Sequence, residues 1–390
     1  MVDVVIDGDT VVSVRPAAGP VAGSADELDL TGFVLLTAPA DAHAHLDKAR
    51  SWDPIQPPMG DLDRAIVSWK AYAATMTTED VAARARAQVL AMIAMGTTAI
   101  RSHVDILSGD EPLRGVEAMV AVRDELRPLV DIELVALAGQ DIPDAAIEAA
   151  LDAGVDSVGG APHLARDPQA DLERLLAIAQ RRGVPVDLHT DESLEGTDTL
   201  AEFARLVRGW PQNVSAGHCV RLGSMAPGDR DAVIAEVVAS DIGVIANPIT
   251  NLYLQGWEHP VGTPRGLTAL RELLDAGARV GAGADNVRDP FNPVGRSDAL
   301  ETAMLLVVAG HLTIDEAYTA VSSGSRSVMG LPIAGPIAGA KAELLAVRAG
   351  SLAEVVASAP PERIVIHSGR IVARSEFHQE LALPVLEAAP

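Results

Sequence analysis

Apolar and polar positions follow two different rhythms along this chain, and the changes between them divide it. Residues 3–15 alternate with period two around an Asp7-Gly8 step, the pattern of a short hairpin. A second strand-turn-strand pattern runs from Arg363 to Val372, preceded by the apolar run Leu344 to Val347. Between about residues 36 and 334, short apolar runs alternate with stretches of i, i+3, i+4 spacing, which predicts repeated strand-helix units on a parallel sheet. After an opening strand the runs cover residues 97–103, 132–137, 157–160, 184–189, 214–218, 243–247 and 279–285. Helical spacing separates them: Thr77-Thr78-Glu79-Asp80 reads as a capping box opening a helix to about Met95, and residues 171–182 and 271–276 carry the same period.

The expected architecture is therefore an α/β fold, a (β/α)8 TIM barrel over residues 36–334, with a doubly wound open sheet as the competing arrangement. The two termini, residues 1–35 and 335–376, are expected to combine into a small discontinuous β-sandwich domain. Residues 377–390 have no clear period and read as a C-terminal tail or a surface helix.

Ionisable side chains collect where the apolar runs end, which is where a barrel gathers its active site. His43 and His45 follow the apolar run Phe33 to Leu36, and in a strand their spacing puts both on one face, where they can share a zinc or ferrous ion. His189 and Asp285 end two later runs and complete a set of four ligands. Neutral imidazoles and a single carboxylate leave a divalent ion with residual positive charge, enough to ionise its water near neutral pH. No lysine ends the fourth run, where Gly159-Gly160-Ala161-Pro162-His163 stands, so the bridging ligand of a two-metal site is missing and one ion is expected. His103 and Asp105 read as groups that hydrogen-bond a loop, and Lys48 as a partner of Asp47. Cys219 reads as a small buried hydrophobe, and Trp257 as a pocket wall or surface packing.

Composition narrows the partners. Among 390 residues, 30 Lys+Arg stand against 54 Asp+Glu, a net charge of −24, which argues against nucleic acid or an anionic membrane surface. A single cysteine permits no intramolecular disulfide, the N-terminus lacks a signal-peptide pattern, and no apolar window approaches the ~18 residues that cross a bilayer. A cytoplasmic protein is the resulting expectation.

Six motifs in order, His43-Ala44-His45-Leu46-Asp47, Gly160-Ala161-Pro162-His163, His189-Thr190-Asp191-Glu192, Ala246-Asn247-Pro248, Leu254-Gln255-Gly256 and Asp289-Pro290, resemble the cytosine deaminase branch of the amidohydrolase superfamily. The resemblance covers nearly the whole chain. It implies a hydrolytic deaminase of a small N-heterocycle, cytosine or a related pyrimidine or triazine, in which hydroxide on one divalent ion, Zn or Fe(II), attacks the amidine carbon and ammonia leaves. By the same resemblance Glu192 is the proton shuttle, His218 polarises the attacking water or the developing alkoxide, and Asp285 passes a proton to the leaving group. Gln140 matches a glutamine that pairs with the pyrimidine amide edge. Asn286 stands where the branch has a second aspartate, and Phe291 where a tryptophan covers the ring; both are candidate substrate-binding residues, and both departures put cytosine itself in question. The implied partners are a small heterocycle, water and further copies of the chain in a homo-oligomer. A cyclic-amide hydrolase opening a hydantoin or lactam ring is the alternative on the same barrel, since both reactions pass through a tetrahedral intermediate. A catalytically silent binding or assembly barrel is the remote one.

Overall fold

In a computed structural model, which describes residues 1–17 and 27–382, the N-terminal alternation folds as an antiparallel hairpin of β1 (Val2–Asp7) and β2 (Thr10–Pro16). The apolar run that precedes the paired histidines forms its own strand, β3 (Phe33–Thr37). The chain changes sheets at Ala38-Pro39, where proline has no N–H to give to a ladder, and the histidines lie on or just beyond the next strand, β4 (Ala40–Ala44).

β4 opens an eight-stranded parallel sheet that continues through β5 (Ala99–Asp105), β6 (Asp131–Ala138), β7 (Ser157–Gly160), β8 (Val186–Thr190), β9 (Val214–His218), β10 (Gly243–Ala246) and β11 (Val280–Ala282). Each strand pairs with the next in chain order, the connectivity of a (β/α)8 barrel. The seam between first and last strands is sewn by one short bridge, in which Asp285 N–H donates to His43 O at 2.8 Å and His45 N–H to Asp285 O at 3.3 Å. Gly283 permits this approach: a Cβ there would lie 2.4 Å from the His43 carbonyl oxygen. The barrel closes on its candidate ligands.

Helices cover the outside. The helix Thr78–Ala94 buries Val81, Ala85, Val89 and Met92 along one stripe, and the Thr77 hydroxyl accepts from Asp80 N–H at 3.2 Å. Only half of the expected capping box forms, because the Asp80 carboxylate turns to Arg84 at 2.9 Å instead of back to Thr77. At the base of the barrel the fully buried Arg101 is neutralised by Asp187 at 2.8 Å and Glu133 at 3.0 Å and donates to Ser215 Oγ at 2.8 Å. No helix among the described residues is long and apolar enough to cross a membrane.

The C-terminal strands β12 (Leu344–Arg348), β13 (Arg363–His367) and β14 (Arg370–Arg374) form an antiparallel sheet in the order β14-β13-β12-β3. The hairpin of β1 and β2 remains a separate two-stranded sheet, docked through Val11 N–H to Ala340 O at 2.9 Å. Its turn lies against the turn of β13 and β14, so closely that a Cβ on Gly369 would meet the Gly8 carbonyl. Residues 375–382 carry no regular structure, and the rest of the expected tail lies outside the described residues.

The four-stranded sheet is clamped to the barrel by Arg363, whose guanidinium grips the Asp298 carboxylate with two hydrogen bonds of 2.9 and 2.8 Å. The same side chain donates to the Met95 and Pro360 carbonyls. All of this is buried, so Arg363→Met is expected to leave an uncompensated carboxylate and to lower unfolding free energy by about 3–5 kcal/mol. Chemical denaturation measures the loss. A change below 1 kcal/mol would show the clamp to be dispensable.

Candidate metal centre

Four strands carry the central side chains. His43 points inward from β4, and His45, two residues on, lies just past the strand. The His45 Nε2 is 3.1 Å from His189 Nε2 at the end of β8 and 3.3 Å from Asp285 Oδ1 beyond β11; His43 Nε2 is 3.7 Å from the same oxygen. On the far side, His218 Nε2 from β9 is 3.9 Å from Asp285 Oδ2. The ring of His43 needs room that only glycine leaves, since a Cβ at Gly217 would come within 2.9 Å of it.

Both nitrogens of His43, Nδ1 of His189, Nε2 of His218 and both oxygens of Asp285 are buried without a hydrogen-bond partner among the described residues. So many orphaned polar atoms facing one point are costly unless something else satisfies them. Burial holds the His43, His45 and His189 imidazoles well below their ordinary pKa, hence neutral with a lone pair to give. Burial, with the Glu192 and Asp289 charges, pushes Asp285 well above the usual carboxylate range. Neutral imidazoles beside a carboxylate that lacks a counter-charge are a donor set that fits a divalent cation.

His103 differs from its expected role. It is fully buried inside the barrel, its ring centroid 4.2 Å from that of His43 and 4.6 Å from that of His189, and neither nitrogen has a hydrogen-bond partner among the described residues. With those two it makes a second group of three whose ligand atoms lie within 4.8 Å of one another. Loop-holding falls to Asp105, which accepts from Lys48 Nζ at 2.8 Å and from the Trp69 indole at 2.6 Å. Lys48 is thus tied chiefly to Asp105, with Asp47 farther off at 3.7 Å and His45 Nδ1 at 3.2 Å.

Glu192 reaches the centre because of its neighbour. The Asp191 carboxylate accepts from Thr199 N–H, Thr199 Oγ1 and Leu200 N–H at 2.9, 2.7 and 3.0 Å, and its φ of 48° turns the chain out of β8. The Gln255 amide then donates to Glu192 O at 2.8 Å, so the Leu-Gln-Gly motif braces this loop. The Glu192 carboxylate is left between two imidazoles, 3.9 Å from His163 Nε2 and 3.8 Å from His218 Nδ1. Burial raises its pKa, opposed by His163, whose other nitrogen donates to the His189 carbonyl at 3.1 Å.

The candidate substrate-binding residues have other commitments. Gln140 Oε1 accepts from Arg166 N–H at 2.8 Å, in the loop that carries His163. The Asn286 amide donates to Asp289 Oδ2 at 2.7 Å and so braces its own loop. Phe291 packs against the cluster built on Trp69, Ala73, Met76 and Leu107. Trp257 is half-exposed; its ring lies over Gly60, whose N–H donates to the Tyr253 hydroxyl at 3.0 Å, so it links the loops after β4 and β10. Two residues escaped the sequence reading: Trp69, and Asn251, whose Nδ2 is 2.9 Å from His218 Nδ1. A signal existed only for Asn251, which lies four residues, one helical turn, after Asn247.

Residues 77–373 match the model of the Amidohydrolase family. The chain belongs to that family. This amidohydrolase is 31% identical over 387 residues to a pterin deaminase of Rhizobium rhizogenes (strain K84 / ATCC BAA-868), covering 96% of the chain and 88% of that protein. Its fold matches a crystal structure of 5-methylcytosine deaminase from Klebsiella pneumoniae liganded with 5-fluorocytosine, with a TM-score of 0.89 and 25% identity over 97% of this chain and 96% of that one. It also matches N-isopropylammelide isopropylaminohydrolase from Burkholderia multivorans ATCC 17616, at TM-score 0.82 and 31% identity over 96% and 95%. An amidohydrolase with these relatives is a hydrolase of carbon–nitrogen bonds other than peptide bonds.

Proposed function

We propose that this amidohydrolase removes an exocyclic amino group from a small aromatic N-heterocycle and releases ammonia, using one divalent ion, zinc or ferrous iron. The observation that carries the reading is the convergence of His43, His45, His189 and Asp285, with the Glu192 carboxylate held buried beside them between His163 and His218. Pterins, cytosines and ammelides, the compounds named for the relatives, share a ring carbon that bears nitrogen and adjoins a ring nitrogen, so the class fits.

His43, His45, His189 and Asp285 would hold the ion, which when bound acidifies a water and draws electron density from the carbon under attack. Glu192 takes a proton from the attacking water and delivers it to the ring nitrogen; burial raises its pKa, which favours its holding the proton between the two transfers. His218 donates a hydrogen bond to the oxygen as charge develops there. Asp285 accepts the second proton and hands it to departing ammonia. The barrel walls exclude bulk water, since every one of these side chains is buried.

A screen of metal-loaded protein over pterins, pyrimidines, amino-triazines and cyclic ureides, read by coupled ammonia detection and mass spectrometry, tests this. Ammonia should appear with one exocyclic amine exchanged for oxygen. Ring opening of a ureide without ammonia would overturn the deaminase reading in favour of cyclic-amide hydrolysis.

A further inference from the structure

We propose that Asn251 is a positioning residue that fixes the His218 imidazole in its Nε2–H tautomer, so that a hydrogen-bond donor faces the metal centre. Asn251 is fully buried on the helix Pro248–Leu254, and its side-chain nitrogen stands 2.9 Å from His218 Nδ1. An amide nitrogen carries hydrogens and offers no lone pair, so it donates and Nδ1 accepts. A ring whose Nδ1 accepts carries no proton there, so its one proton is on Nε2. That nitrogen is buried, has no hydrogen-bond partner among the described residues and points toward Asp285.

The competing occupant of Nδ1 is Glu192, but its carboxylate is 3.8 Å away, beyond hydrogen-bond reach. Backbone geometry keeps the ring where Asn251 can hold it. His218 and Cys219 have φ of 69° and 49°, a sharp exit from β9 that is rare for residues with side chains, and the Thr268 hydroxyl donates to the His218 carbonyl. The ring is therefore fixed at both ends, by its own main chain and through Nδ1. A carboxylate at position 251 could only accept, and would pull the proton to Nδ1, leaving a lone pair where the reaction needs a donor.

The tautomer follows from the geometry alone; only its effect on rate rests on the deaminase reading. Zinc-loaded full-length protein with 15N-labelled histidine rings, its His218 signals assigned by comparison with His218→Gln, tests it. His218 should show a pyridine-type Nδ1 and a pyrrole-type Nε2 in the wild type, and Asn251→Asp should interchange them. Asn251→Leu should lower kcat by about a hundredfold with KM and zinc content little changed, the signature of a donor that matters in the transition state. A pyrrole-type Nδ1 in the wild type would overturn the assignment even if neither variant folds. An Asn251→Asp protein with unaltered ring shifts and full turnover would overturn it too. Should no aminoheterocycle prove a substrate, the nitrogen spectra still decide the tautomer, so the two failures are told apart.

Discussion

Glu192→Gln is expected to lower turnover by about two to four powers of ten while leaving bound metal unchanged, because in the proposed mechanism it removes a proton shuttle and no ligand. The side chains are nearly isosteric, and the Glu192 backbone stays anchored by Gln255, so the loop has no reason to move. What changes is chemistry: an amide can neither take the proton of water nor give one to a ring nitrogen. The neighbours make this specific, since His163 and His218 lie within 4 Å of the carboxylate and neither donates to it at hydrogen-bond distance. Steady-state kinetics beside atomic emission on the same sample measure both halves. Full turnover in the variant would remove Glu192 from the mechanism, and lost metal would make it a ligand.

Legibility of this fold in the sequence followed from how local each signal was. The parallel strands could be read from apolar runs, and the paired histidines from their period of two, because strand geometry alone fixes which way His43 and His45 face. His189, His218 and Asp285 were found as ionisable residues at strand ends, and the barrel supplied the rule that such ends meet. The run Phe33–Thr37 could be read as a strand, but its pairing could not, because its partner β12 is some 300 residues on. His103 was assigned a loop role because single buried histidines usually have one; only the packed barrel shows its ring stacked against His43. The Lys48–Asp105–Trp69 contacts and the Asn251–His218 contact join segments far apart in sequence, and no spacing rule reports such pairs. Substrate contacts were least legible, since Gln140 and Asn286 are amides whose partners depend on loop conformation.

Asp285→Asn is expected to act with opposite sign in metal-free and metal-loaded protein. In the chelated protein burial pushes the Asp285 pKa well above the usual carboxylate range, so near neutral pH folding must either bury its charge or take up a proton, and both cost stability. Replacing it by a neutral amide of the same shape should therefore leave the melting temperature unchanged or raise it. In the loaded protein the cation compensates that charge, and the stability gained on binding scales with affinity. The variant gives up the one anionic member of the proposed ligand set, so its affinity should fall by more than the roughly 10–100-fold that loss of an outer partner costs, and turnover should fall with it. Wild-type protein should carry close to one divalent ion per chain by atomic emission; a value near two would overturn the single-ion reading, and among the described residues His43, His103 and His189 form a further group able to hold an ion. Thermal melts of both proteins, with and without chelator, resolve the signs. If Asp285→Asn binds metal as tightly as the wild type, the carboxylate is not a ligand, and its burial at the barrel seam needs another cause.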